Sequence, residues 1–149
     1  GEGGLMMNIQ ELAFVMHHHL PIKIFILNNG GYLTIKQTQE LGFEGRLMGV
    51  NEQTGLSFPD MHKIAEAHHI KFLRLENHEK LESNLQEVVL SAGPFICEIM
   101  MDHSQEQGPK AVNRRSSTGK LVQTPLEDLY PFLDRDELEA NMIVLKAKP

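Results

Sequence analysis

"PIKIFILNNGG", residues 21–31, decides how this chain is read. Residues 22–27 are short, β-branched at alternate positions and almost uniformly apolar, the pattern of a strand covered on both faces of a parallel sheet. Pro21 stops whatever precedes it, and Asn28, Asn29, Gly30 and Gly31 end the strand with residues that favour turns. A parallel strand needs crossover connections, so helices are expected on either side of it in the chain.

They are there. Residues 5–18 carry Leu5, Met6, Ile9, Leu12, Ala13 and Met16 near the helical repeat, which predicts one amphipathic helix. His17, His18 and His19 fall in its last turn and suit the negative end of the helix dipole. Adjacent side chains point around a helix and cannot converge on one ion, so the run is read as a solvated helix end. A second helix is predicted from about Tyr32 to Leu41, then a loop over residues 42–57 containing four glycines. "FPDMHKIAEAHHI" predicts a helix with a proline near its start, and "KFLRL" a strand. "HEKLESNLQEVVLSAG" predicts an amphipathic helix ending in a glycine cap, and "PFICEIMM" a last strand, with Cys97 as a small core residue.

Strand and helix alternate over residues 1–102, which gives an α/β domain with a parallel sheet and helices on both faces. Residues 103–149 differ, with several Gly and Pro, a basic "NRRSSTGK" stretch expected in a loop, and short helix-like pieces at "PLEDLY" and "RDELEANM". They are read as a C-terminal extension packed over the domain. The chain begins at Gly1 with a glycine-rich turn of the kind that follows a strand, so it is expected to be part of a longer polypeptide lacking its first strand or strands.

Composition narrows the function. A net charge of −6 argues against nonspecific nucleic-acid binding, and no apolar run is long enough to cross a bilayer. One cysteine excludes an internal disulfide and suits a reducing, cytoplasmic compartment. Ligands of open parallel sheets gather at the carboxyl edge of the strands. "GEGG", residues 1–4, would follow one strand and Asn28 to Gly31 end the next, so one crossover brings both turns to one edge. The N–H groups at the helix start, with Gly3 and Gly4 offering no side-chain obstruction, form a phosphate cradle. Glu2 would repel a phosphate by itself, and a divalent cation resolves the conflict, since Mg²⁺ takes carboxylate, amide, carbonyl and phosphate oxygens together. Glu2, the Asn29 amide oxygen and a carbonyl near Gly31 could supply the protein's share.

Glu2 followed 27 residues later by Asn29 resembles the Gly-Asp-Gly to Asn-Asn signature of the thiamine diphosphate enzymes, and "MNIQEL" with "LPIKIFILNNGG" is similar to their acetolactate synthase branch. The resemblance covers residues 1 to about 102 and, through "PLEDLYPFL", part of the tail. It implies that Glu2, Asn29 and the Gly31 carbonyl ligate Mg²⁺ and that Gly1, Gly3 and Gly4 contact the diphosphate of thiamine diphosphate. Tyr32 and Leu33, next in the chain, are further candidates to touch the cofactor or to cap the second helix. It also implies decarboxylation of a 2-oxo acid and transfer of the remainder to a second carbonyl. The glutamate that activates the cofactor lies, in the family, in a pyrimidine-binding domain of the same or a partner subunit. This chain therefore carries no catalytic residue of its own and is expected to be inactive alone, working in a homodimer or homotetramer. Relatives that use FAD bind it upstream, which leaves FAD open.

Two departures stand out. The family usually has Asp where this chain has Glu2, which moves the carboxylate by up to ~1.5 Å. Thr38 stands where branched-chain acetohydroxyacid synthases tend to carry a Trp that shapes the acceptor pocket. The alternative from another class is a noncatalytic, flavodoxin-like module that binds a nucleotide or a partner protein at the same edge.

Overall fold

The computed structural model describes residues 1–105, 108–115 and 118–143. It divides into two compact units, Gly1–Ser104 and Gln105–Pro149. The first contains, in order, α1 (Glu2–Met6), α2 (Glu11–His17), β1 (Lys23–Asn28), α3 (Leu33–Gly42), a 3-10 turn (Glu52–Thr54), α4 (Met61–Ala67), β2 (Lys71–Leu75), α5 (Leu81–Leu90) and β3 (Phe95–Met100). The three strands form one parallel sheet in the order β1-β3-β2, with Lys23 and Lys71 both opposite Phe95. The chain is thus α/β around a parallel sheet, as its alternation predicts.

Period-two alternation sorts the side chains into two cores. Ile24, Ile26, Phe72 and Ile96 pack with Leu12 and Val15 of α2, Met61 and Ala65 of α4, and Ile70. From the other face Leu73, Leu75, Phe95, Cys97 and Ile99 pack with Leu81, Leu85 and Val88 of α5. Helices therefore cover both faces, but β1 is not covered on both, as its uniform run predicts. Phe25 and Leu27 remain 41% and 44% exposed, because α5 lies over the β2 and β3 side and no described element of this unit covers that face of β1.

The helix predicted over residues 5–18 is two helices. Between them the N–H groups of Glu11, Leu12 and Ala13 reach back three residues, to the carbonyls of Asn8, Ile9 and Gln10. Three-residue winding eclipses positions i and i+3. Met6, Ile9 and Leu12 are spaced by three, and all pack on the same core. His17, His18 and His19 are exposed, and Leu20 closes the turn ahead of Pro21 through its N–H to Val15. Asp60 caps α4 by accepting the His62 N–H at 2.9 Å. That bond, with the Arg74 guanidinium beside it, holds the Asp60 carboxyl below the usual range. α5 ends at Ser91 in extended backbone, and Gly93, with φ 75°, makes the turn into β3, so the glycine lies beyond the cap and not at it.

In the second unit β4 (Asn113–Arg115) and β5 (Leu121–Gln123) form an antiparallel pair, so Arg114 and Arg115 belong to a strand and not to a loop. Ser116 and Ser117 of the same basic stretch, and residues 144–149, lie outside the described residues. "RDELEANM" forms α6 (Arg135–Asn141), capped by Asp134 on the Asp136 N–H. "PLEDLY" is not helical. Asp128 N–H closes one turn on Pro125, and Tyr130 then bridges to Lys110 as extended backbone. Arg135 grips the buried Asp128 carboxylate with two nitrogens at 2.8 and 3.0 Å, which raises its own affinity for a proton.

Cys97 is fully buried, and burial pushes its thiol upward from the ordinary value. The native state then holds its proton over a range in which the unfolded chain has lost it, so stability falls as pH rises above about 8.5 and is unaffected below. Denaturant midpoints between pH 7 and pH 10 should drop more steeply for the parent chain than for Cys97→Ala, and Ellman's reagent should label Cys97 only after unfolding. Rapid native labelling at pH 8 would contradict its place in the core.

Candidate functional site

α1 begins with Glu2 in its first turn, where the positive end of the backbone dipole favours an acid. Gly1 precedes it, placed so that a Cβ would lie 2.9 Å from the Leu27 carbonyl at the end of β1. The helix start and the strand end are thereby neighbours. Glu2 turns inward and is 1% exposed. Its Oε1 accepts the Gly31 N–H at 2.6 Å and its Oε2 the Asn29 N–H at 3.3 Å. The two turns that the sequence places at one sheet edge do meet there, through the carboxylate of the first and the main chain of the second.

The turn itself is tightly drawn. Asn28 Oδ1 accepts the Gly30 N–H at 3.1 Å, and Gly30 has φ 74°, a conformation that side chains oppose. Gly31 is bare for another reason, since a Cβ there would lie 2.1 Å from the Val50 carbonyl oxygen, which also accepts the Tyr32 N–H at 2.8 Å. Val50 is held in turn by Thr54, whose Oγ1 accepts the N–H groups of Val50 and Asn51.

Asn29 presents its amide beside Gly1, and its Oδ1 is buried with no hydrogen-bond partner among the described residues. An orphaned buried acceptor is costly and calls for a donor or a cation. A carboxylate has about four lone-pair sites, of which the two N–H groups occupy two on Glu2, so its oxygens retain capacity for an ion. Among the described residues no three His, Cys, Asp or Glu side chains gather as a metal cluster. A cation here must draw on carboxylate, amide, carbonyl and ligand oxygens, which is the donor set of Mg²⁺ and not of zinc.

The remaining predicted residues stand around this point. Gly3 is not open space, because a Cβ there would strike the Tyr32 ring at 2.4 Å; that ring also meets Phe58 edge-on. Gly4 has nothing within 4 Å of such a Cβ and is exposed. Tyr32 stands at the N-terminus of α3 without a side-chain cap, and Leu33 is the first helical residue. Thr38 bonds back to the Thr34 carbonyl on the same helix.

Three contributors escape the sequence reading. A cavity of about 140 Å³ is lined by residues 29–33, Lys36, residues 50–53 and His103. The His103 ring lies so close to Gly30 that a Cβ there would come within 2.6 to 3.1 Å of three ring atoms. His103 follows β3, and the rule that ligands gather at strand carboxyl ends is the signal that finds it. A second cavity, of about 310 Å³, is bounded by Glu2, Asn28, Gly30, Arg74 and Glu98, among others. Glu98 and Arg74 carry no motif, and only the strand register brings them to the turn.

Residues 1–99 match the model of the thiamine pyrophosphate enzyme C-terminal TPP binding domain. The chain belongs to this family. It is similar to the acetolactate synthase large subunit of Haemophilus influenzae, 30% identical over 130 residues that make up 86% of this chain and 22% of the relative. The isozyme 2 large subunit of Escherichia coli K12 is 31% identical over 73% of the chain and 19% of its own length. The mitochondrial catalytic subunit of Saccharomyces cerevisiae is 33% identical over 68% and 14%. The chain thus spans between about a seventh and a fifth of the length of these curated relatives. No helix among its described residues is long and apolar enough to cross a membrane.

In a TPP binding domain built this way Gly31 tolerates no side chain, because the obstruction is main chain and not a movable tip. Gly31→Ala should lower stability by about 1 to 3 kcal/mol, measured by urea unfolding, whereas Gly4→Ala should be neutral or slightly stabilising. Equal effects at the two positions would show that the Val50 contact is not rigid.

Proposed function

We propose that this chain is the diphosphate- and Mg²⁺-binding part of a thiamine diphosphate-dependent 2-oxo acid decarboxylase or carboligase of the acetolactate synthase type. The observation that supports it most is the buried, unpartnered Oδ1 of Asn29 in the turn that the Glu2 carboxylate holds. In this reading Glu2, Asn29 and the Gly31 carbonyl hold the metal. The main chain of Gly1, Gly3 and Gly4 approaches the diphosphate, and Tyr32 and Leu33 border it from α3.

When bound, the cofactor supplies decarboxylation of a 2-oxo acid and transfer of the remainder to a second carbonyl. The protein's share is orientation. Glu2 neutralises part of the metal's charge at the point where the phosphates must sit, and the bare glycines let the main chain come close. The pyrimidine end of the cofactor belongs to a pyrimidine-binding domain of the same or a partner subunit, in a homodimer or homotetramer. The 149 residues alone bind the diphosphate end and turn nothing over, and a reducing, cytoplasmic setting suits the buried thiol of Cys97.

Calorimetry with thiamine diphosphate tests this reading. Binding should require Mg²⁺, disappear with a chelator, and weaken by at least about tenfold in Glu2→Ala and in Asn29→Ala. Equal binding with and without metal would overturn it in favour of a nucleotide- or partner-binding module. Measurable 2-oxo acid decarboxylation by the purified chain would overturn the assignment of catalysis to a larger assembly.

A further inference from the structure

The turn that carries Asn29 and Gly31 is gripped from two sides. On one side Glu2 takes the N–H groups of Asn29 and Gly31. On the other, Asn28 Oδ1 takes the N–H between them, that of Gly30, at 3.1 Å. Three consecutive amides are thus tied to side-chain oxygens. Asn28 is not free to swing, because its Nδ2 donates to Glu98 Oε1 at 2.7 Å. Glu98 is 1% exposed, and its Oε2 accepts from Arg74 Nε at 2.6 Å. Arg74 Nη2 continues to Asp60 Oδ1 at 3.0 Å, and Asp60 is the cap of α4.

The register makes this series possible. Glu98 of β3 lies opposite Ile26 of β1 and Arg74 of β2, and Asn28 is two residues beyond Ile26 on the same face. An apolar side chain at position 98 would extend the row of Ile24, Ile26 and Ile96 without burying any charge. Glu98 is buried while its partner Arg74 is exposed, and such a pair is a weak source of stability but holds the carboxylate in one orientation. What this pair fixes is Asn28, and through it the Gly30 N–H.

We propose that Glu98, Arg74 and Asn28 are positioning residues that aim Asn29 Oδ1 and the Gly31 carbonyl at the bound cation. The proposal rests on the metal-binding reading of Glu2 and Asn29. Mg²⁺ demands near-octahedral oxygens at about 2.0 to 2.1 Å, so a turn free to rotate about Gly30 would lose the ion before it lost the fold. Groups one hydrogen bond behind a ligand set that ligand's orientation.

The experiment uses the whole 149-residue chain with Glu98→Gln, Asn28→Ala and the double variant. Two readouts are taken: exchange of the Gly30 amide by NMR without ligand, and Mg²⁺ affinity by calorimetry at saturating thiamine diphosphate. Each single variant should speed Gly30 exchange and weaken Mg²⁺ by about tenfold or more. The double variant should be no worse than the weaker single, because the two residues act in series. Folded variants with parental Gly30 exchange and parental Mg²⁺ affinity, or losses that multiply in the double variant, overturn the proposal. Should Glu98→Gln fail to fold, Asn28→Ala leaves the Glu98 and Arg74 pair intact and decides alone by the same two readouts. A parent chain that binds no Mg²⁺ while Gly30 exchange still responds to the variants overturns the metal reading, and shows that Glu98 and Asn28 set the turn regardless.

Discussion

The carboxylate of Glu2 lies inside the protein and is held by main-chain N–H groups from 27 and 29 residues further along the chain. An ion is costly to bury, and it is tolerated when its oxygens find donors and the local field is positive. Glu2 has both, in two backbone amides and the start of α1. Bringing the carboxylate there forces three stretches of main chain together, and that crowding accounts for the glycines. A Cβ on Gly1 would press on the Leu27 carbonyl, one on Gly3 on the Tyr32 ring, and one on Gly31 on the Val50 carbonyl.

Much of this is legible in the sequence. β2 at "KFLRL" and β3 within "PFICEIMM" are strands, the first a short mixed run of Phe and Leu with Lys and Arg, the second a short apolar run with Ile96 and Ile99, each bounded by turn residues. α3, α4 and α5 lie where their periodicity places them, and the meeting of "GEGG" with "NNGG" follows from strand ends sharing an edge. The errors have one cause, that sequence periodicity does not report what lies across from a residue. The run 5–18 fits a helix throughout, yet the i+3 spacing of Met6, Ile9 and Leu12 fits a tighter winding equally well. β1 reads as doubly covered because Phe25 and Leu27 are apolar, and apolarity does not reveal that α5 covers the neighbouring strands instead. "PLEDLY" has a helical composition, but its end is committed to pairing with Lys110.

The same limit hides half of the site. Glu98 sits in an apolar strand where its sequence context marks it only as an interruption, and His103 sits in a polar stretch that carries no motif and is marked only by its place after the end of β3. Their nearness to the turn comes from register and from chain reversal after β3. Local patterns find residues that bend or extend the chain, and they miss residues whose significance lies in what the sheet brings beside them.

The two buried glutamates make the distinction physical. Glu2 and Glu98 are each 1% exposed and lie on either side of the same short turn. Glu98 is matched by a guanidinium at 2.6 Å that also bonds Asp60, and the two carboxylates raise the proton affinity of Arg74. Glu2 is matched by no described cation and has only the partial charges of amides and a helix start. Held by a guanidinium that it shares with Asp60, Glu98 gives the turn its shape through Asn28. The turn that Glu2 holds also carries an amide oxygen, Asn29 Oδ1, that has no donor among the described residues. On the metal-binding reading proposed above, it is Glu2 and Asn29, and not Glu98, that would take up a positive ion.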